Sequence, residues 1–286
     1  MKRANLLLLA ITLLFCQNLK AQESEIALAK IHYNFVHIND TTQLEKNHHD
    51  EMVLYLGQYS SFYTSYANKR MEESLRKQVE SPSFDGNLTI KGSGSGTHES
   101  YYIAPAKNLI IQVYSLNGEN YLVNEEFPAL NWKIEQETKI IGGYTCQKAE
   151  THFKGRDYIA WFTTDIPFQA GPWKLQGLPG LILEAADSKN EVRFEYAGFD
   201  KIETSGLTVG IPENTIKTNK KALAKLVEAV QKNPMAAAKA RSQGGGSNSS
   251  SPLNSIIDPS QIKSISVIKE GAAKSPITNN PIELID

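Results

Sequence analysis

The amino-acid sequence predicts a mainly β protein of the α+β class, a curved antiparallel sheet or open half-barrel with one or two packed helices. Many short segments alternate apolar and polar residues, which is typical of strands that bury one face. Short polar turns separate these segments, and Asn117-Gly118 is a strong hairpin signal. Many short strands joined by short turns indicate a meandering antiparallel sheet.

Strand signals run from residue 26 to residue 203. Residues 31–38 are rich in aromatic and β-branched side chains, and segments 52–56 and 61–66 flank Gly57-Gln58 as a predicted hairpin. Further strands are predicted at 110–114, 121–123, 131–134, 139–144, 144–149, 158–163, 181–183 and 192–196. The strand signals alternate with turns throughout this range.

Two segments have helical rather than strand periodicity. Met71, Leu75 and Val79 recur at helical spacing among charged residues and predict a helix near 68–80. A second apolar stripe predicts a helix near 219–232, which we expect to lie on the sheet.

The N-terminus has the pattern of a secretory signal peptide at residues 1–21. Lys2 and Arg3 precede a short apolar run, and we expect cleavage after Ala21. The run is too short for a permanent membrane anchor, so no transmembrane segment is expected in the mature chain. The alternative is a lipoprotein with Cys16 as its lipidated residue. The protein is therefore expected to be exported, to the periplasm, the outer membrane or the medium.

Composition divides the remaining chain into three parts. Residues 22–242 are predicted to form the β domain, and residues 243–251 a glycine–serine linker. Residues 252–286 are expected to return to the domain as a C-terminal segment.

Charge and cysteine content exclude two classes of protein. Removal of residues 1–21 leaves 27 basic and 31 acidic side chains, which argues against nucleic-acid binding. Cys146 is then the one remaining cysteine, so no internal disulfide is expected. Its alternating strand favours a buried thiol over a reactive one.

One motif carries a family resemblance. Residues 177–182 read Gly-Leu-Pro-Gly-Leu-Ile, and the chain resembles the GLPGLI family of exported Bacteroidetes proteins, whose function is unknown. Further matching blocks lie at 33–42, 138–149, 160–163 and 280–284. The resemblance implies an exported β protein and no defined reaction. It also implies an association with TonB-dependent outer-membrane transport partners. The middle block is distantly similar to the open half-barrel of periplasmic lipoprotein carriers.

The motif loop is the predicted ligand- or partner-binding surface. Trp173, Leu178 and Leu181 would present an apolar loop, with Pro179-Gly180 as the centre of a type II turn. The alternative interpretation is a buried turn that closes the sheet, with Trp173 filling the core.

The predicted metal site is His48, His49 and Asp50, in what the sequence indicates is a polar turn. The alternative is an exposed turn without metal. No catalytic residue is predicted, because nucleophile-elbow, zinc-protease and phosphate-loop motifs are absent. No cofactor is predicted.

The leading hypothesis is therefore a non-catalytic exported binding or accessory protein for an apolar or peptide ligand or a transport partner. Two alternatives remain open. One is a hydrolase or metal-dependent enzyme whose site is assembled from scattered residues. The other is metal handling through His48 and His49.

Overall fold

The structure of the protein is a computed structural model that describes residues 24–92, 96–203, 206–233, 259–269 and 278–284. It is mainly β with two helices and a large, open, curved sheet, which confirms the predicted fold class. Neither helix in the described part of the chain has the length and hydrophobicity that a membrane crossing requires.

Two sequence predictions lie outside the described residues. These are the signal peptide at 1–21 and the glycine–serine linker at 243–251. Of the predicted C-terminal segment, residues 259–269 and 278–284 are described.

The described residues form sixteen strands and two α-helices. The strands are β1 Glu25–Ile26, β2 Ala29–His37, β3 His48–Leu56, β4 Ser61–Ser65, β5 Asn87–Gly92, β6 Glu99–Ala104, β7 Leu109–Leu116, β8 Glu119–Glu125, β9 Lys133–Ile141, β10 Tyr144–Phe153, β11 Arg156–Thr163, β12 Leu181–Asp187, β13 Val192–Lys201, β14 Thr208–Val209, β15 Thr215–Thr218 and β16 Ser264–Lys269. The helices are α1 Ala67–Val79 and α2 Lys220–Lys232.

Two antiparallel meanders build the main sheet. Its strand order is β15-β8-β7-β6-β4-β3-β2-β13-β12-β11-β10-β9. The first meander runs outward from β2 to β8, and the second begins with β9 at the far edge and returns to β13 in the middle of the sheet. They meet where β13 pairs with β2, from Val192 opposite His37 to Lys201 opposite Ala29. β15 adds the one parallel neighbour, at the edge of β8.

The turns between these strands use the residues that the sequence predicts. Asn117 and Gly118 join β7 to β8, with φ of 53° and 87°. Two positive φ values are what a type I′ hairpin requires, and asparagine and glycine accept them most readily. Gly57-Gln58 likewise lies between β3 and β4.

The helices lie at the margins of the sheet. α1 packs on the parallel pair β5–β16, where Leu75 and Leu88 are buried. α2 begins with an asparagine cap, since the Asn219 side chain accepts a hydrogen bond from the Ala222 amide at 2.9 Å. Of the residues of α2, Leu223 is buried.

The main core covers one face of the sheet, which we call the inner face. It is built by alternate residues of the central strands, such as Ile31, Tyr33 and Phe35 of β2 and Phe194 of β13. The opposite face carries a smaller cluster that includes Tyr102 and other side chains. The polar side chains of the candidate site lie around this inner face.

Cys146 lies within this core, on β10, and is fully buried. Burial raises the pKa of the Cys146 thiol to about 11. The thiolate is the reactive form, so the folded protein holds this cysteine in its unreactive state.

We therefore expect Cys146 in the folded protein, prepared without residues 1–21, to resist a chromogenic disulfide reagent at pH 8. Guanidinium chloride should release one reactive thiol, which a Cys146→Ala variant should lack. Rapid release of one equivalent from the native protein would contradict the burial of this thiol.

Candidate functional site

Trp173, in the loop before the motif, has an unusual backbone conformation. Its φ is 56°, in the left-handed region that bulky side chains rarely adopt, yet its side chain is buried. The ring packs against Phe153 and Tyr158 at centroid distances of 5.4 Å and 6.1 Å. Strain of this kind persists only where surrounding contacts impose it, and it concentrates at functional sites.

Lys174 fixes the same loop through buried contacts of its side chain. Its ammonium group is buried and forms ion pairs with Glu125 and Glu283. It also lies 5.0 Å from the centroid of the Tyr101 ring. Burial opposes the charge of Glu125, but Lys174 and Lys220 together hold the pKa of its carboxyl below the ordinary value. The loop is thereby tied to β8 and to the C-terminal segment.

The predicted type II turn at Pro179-Gly180 is wrong. Gly180 is not in the positive-φ region, and its amide instead donates to the carbonyl of Leu178 at 2.8 Å. A Cβ on Gly180 would overlap the Thr163 carbonyl oxygen. The glycine is therefore required by close backbone packing, and the positive φ falls on Gly177, at 89°.

Burial separates the five predicted loop residues. Leu178, Gly180 and Leu181 are buried in the core, whereas Pro179 is exposed. Trp173 is buried but lines a cavity.

That cavity lies on the inner face, has a volume of about 400 Å³ and is here called the aromatic cavity. Its walls carry rings from several strands and from the motif loop. They are Phe35, Tyr63, Tyr101, Tyr114, Trp173 and Phe194. Phe35 and Phe194 stack at a centroid distance of 5.1 Å, because β2 and β13 are neighbours. The volume falls within the range of about 300–1,000 Å³ typical of small-molecule sites.

Two buried donors in the aromatic cavity have no hydrogen-bond partner within the described part of the chain. They are the Tyr63 hydroxyl and the Trp173 Nε1 group. Burial raises the pKa of Tyr63 well above its ordinary value, so its hydroxyl keeps its proton. Buried polar groups are nearly always satisfied, so these two donors mark where water or a ligand that presents acceptors would bind in the cavity.

The predicted metal residues do not lie in a turn. They open β3, because β2 extends far enough to pair His37 with His48. Alternation then places His48 and Asp50 on the buried side, with His49 on the exposed side. Asp50 instead accepts a hydrogen bond from the Thr97 amide at 2.6 Å.

Histidines border the aromatic cavity, and two of them stabilise its rim. His37 Nε2 donates to the carbonyl oxygen of Asn280 at 2.7 Å, and His48 Nε2 hydrogen-bonds the Thr97 hydroxyl at 3.0 Å. Among the residues that the structure describes, no group of three or more histidine, cysteine or acidic side chains is placed to hold a metal ion.

The rim is completed by the C-terminal segment 278–284, which Arg156 holds in place. The guanidinium group of Arg156 is almost fully buried. Its N–H groups donate both to acidic side chains and to the C-terminal segment. Nη1 donates to Asp187 and Glu191, at 2.6 Å and 3.1 Å. The remaining bonds go to the Asn280 side chain and to the carbonyls of Pro281 and Ile282.

Sequence reasoning did not identify Arg156 and Lys174 as residues that shape the site. Arg156 follows the turn residue Gly155 and Lys174 lies two residues after Pro172, and their partners are more than thirty residues away in sequence, for example 124 residues for Asn280. The one available signal was the matching block at 280–284, which sequence analysis placed with the domain.

Comparison with known proteins gives one family match. The model of the family described as "N-glycanase peptide, N-terminal domain" matches residues 89–232. The search of curated proteins gave no match. The resemblance to the GLPGLI family stays a prediction.

Two similar solved structures are both of PNGF-II, in the P21 and C2 space groups. Each has a TM-score of 0.47, with 15% and 16% identity, and each alignment covers 71% of this chain and 33% of the other. The chain thus spans about a third of the length of the structures it matches.

We predict that Gly180→Ala will destabilise the fold by about 3 kcal/mol, because its methyl group overlaps backbone that cannot move aside. Gly177→Ala is the matched control. It has open space and should cost only about 1 kcal/mol of left-handed strain. Urea unfolding measures both values, and a larger loss for Gly177→Ala would refute the packing explanation.

We predict that Arg156→Met will lower the free energy of unfolding by about 3–5 kcal/mol, because Asp187 would remain buried without its counter-charge. Arg193→Met removes a more exposed pair with Glu195 and should cost less than about 1 kcal/mol. Equal losses in the free energy of unfolding of the two variants, measured with urea, would contradict the larger contribution expected of the buried ion pair.

Proposed function

Because the chain belongs to the family described as "N-glycanase peptide, N-terminal domain", we propose that its aromatic cavity binds a carbohydrate and that the protein is a non-catalytic binding module. The word N-glycanase names a glycan as the relevant ligand class. The exported, accessory role predicted from the sequence is part of the same proposal.

The observation that carries the proposal is the pair of unsatisfied donors among aromatic rings. A sugar ring has apolar C–H faces that pack on aromatic side chains, and hydroxyl oxygens that accept hydrogen bonds at its edge. The aromatic cavity offers both kinds of contact, through its stacked rings and through the Tyr63 hydroxyl and Trp173 Nε1. A purely apolar ligand would leave both donors unsatisfied, at a cost of about 1–3 kcal/mol each.

Two of the three histidines that line the aromatic cavity have contacts that stabilise its rim. His37 and His48 already use a ring nitrogen on Asn280 and Thr97, contacts that hold the wall of the cavity in place. These contacts assign the two side chains a structural task. A hydrolase, a metal-handling role and a TonB-dependent partner remain predictions from the sequence.

Isothermal titration with N,N′-diacetylchitobiose, mannobiose and lactose tests the proposal. We expect at least one of these sugars to bind, and Tyr63→Phe to weaken that binding about fivefold to tenfold, the loss of one neutral hydrogen bond. Tryptophan fluorescence gives an independent readout, because Trp173 lines the cavity.

Tyr158→Phe is the matched control. Its hydroxyl is also buried without a partner among the described residues, but it does not line the cavity. Absence of binding to all three sugars at millimolar concentration would overturn the proposal, as would an equal effect of the two tyrosine variants.

A further inference from the structure

A second cavity adjoins the aromatic cavity and is not used by the proposed function. It lies between α2 and the inner face, has a volume of about 470 Å³ and is here called the helix cavity. The two cavities share the residues Glu99, Tyr101, Tyr114, Gln231, Pro281 and Ile282.

The helix cavity exists because α2 does not pack closely on the sheet. Leu223 is buried, but Val227, on the same face of the helix, is only half-buried and lines the cavity. Ile282 of the C-terminal segment lies on the other side. The helix and the segment together form two apolar walls that leave room for an aliphatic side chain.

The charges of the helix cavity are mostly negative. Four carboxylates line it, those of Glu99, Glu125, Glu228 and Glu283, against the single lysine Lys220. Lys174, Lys220 and Lys232 compensate three of these carboxylates through ion pairs.

Glu99 is the carboxylate without an ion pair, although the nearby charge of Lys174 opposes the effect of burial on its pKa. It forms no ion pair with any described side chain, and its contact is the Tyr101 hydroxyl, which donates to Oε2 at 3.2 Å. Burial raises the pKa of the Glu99 carboxyl above the ordinary value, which an added cation would reverse.

Gln112 provides an independent indication of a ligand. Its side chain lines the helix cavity and is more than nine-tenths buried, at 8% relative exposure. Its amide nitrogen makes one long hydrogen bond, 3.5 Å to the Tyr101 hydroxyl, and its carbonyl oxygen has no partner among the described residues. A primary amide with free donor and acceptor positions matches the N–H and C=O of a peptide bond.

From these contacts we infer that the helix cavity is a second binding site, which takes an extended basic peptide. A lysine or arginine of the peptide would form an ion pair with Glu99, and a peptide bond of its backbone would hydrogen-bond to Gln112. An aliphatic side chain of the peptide would pack on Leu223 and Val227. This inference does not depend on the carbohydrate proposal.

Fluorescence anisotropy with a labelled Ala-Lys-Leu-Lys-Ala peptide, against Ala-Glu-Leu-Glu-Ala, tests the inference on the folded protein. We expect the basic peptide to bind at least tenfold more tightly than the acidic one, with an affinity that falls as salt is added. Gln112→Met and Glu99→Gln should each weaken binding about tenfold, and Glu99→Gln should also reduce the salt dependence.

Glu137→Gln is the charge control, since this exposed glutamate lies on β9, outside the helix cavity. Thermal unfolding confirms that each variant is folded, and Val227→Ala provides a milder change of the apolar wall, with a smaller expected loss. Equal binding of the two peptides, or unchanged affinity in both Gln112→Met and Glu99→Gln, would overturn the inference. Titration of the same variants with the three sugars tests the carbohydrate proposal independently of the peptide result.

Discussion

The buried guanidinium of Arg156 is the interaction on which the shape of the site depends. It lies at the start of β11, yet its hydrogen bonds reach the turn before β13 and three consecutive residues of the C-terminal segment. Two of those three, Pro281 and Ile282, line both cavities. A guanidinium group offers five N–H donors in a fixed plane, so one side chain can orient several segments of the polypeptide at once.

The pairing of β2 with β13 provides the frame that Arg156 completes. It joins two strands that are distant in sequence and places Phe35 beside Phe194, both of which line the aromatic cavity. Trp173 also lines the cavity, in a left-handed conformation, and its neighbour Lys174 forms a buried ion pair with Glu125. Backbone strain, buried charge and unsatisfied donors thus lie close together, which is the combination that the proposed carbohydrate site requires.

The two cavities differ in chemistry although they share a boundary. One has aromatic walls and unsatisfied donors, whereas the other has apolar helix residues, carboxylates and a free amide. Tyr101 and Glu99 form the boundary, and their hydrogen bond links the two. Occupancy of one cavity would therefore change the electrostatic environment of the other, because the Glu99 carboxyl lies within a few ångströms of both.

Local sequence patterns were sufficient to predict the fold class, the Asn117-Gly118 hairpin, both helices and the burial of Cys146, because these depend on periodicity and turn chemistry. The sequence was not sufficient elsewhere. It did not determine the turn at Gly180, since the close approach to Thr163 involves a strand 17 residues earlier in the chain. It also misplaced His48, whose strand conformation comes from pairing with β2. Only the tertiary structure assembled the site, because Arg156, Lys174 and their partners meet through long-range pairing that no local pattern encodes.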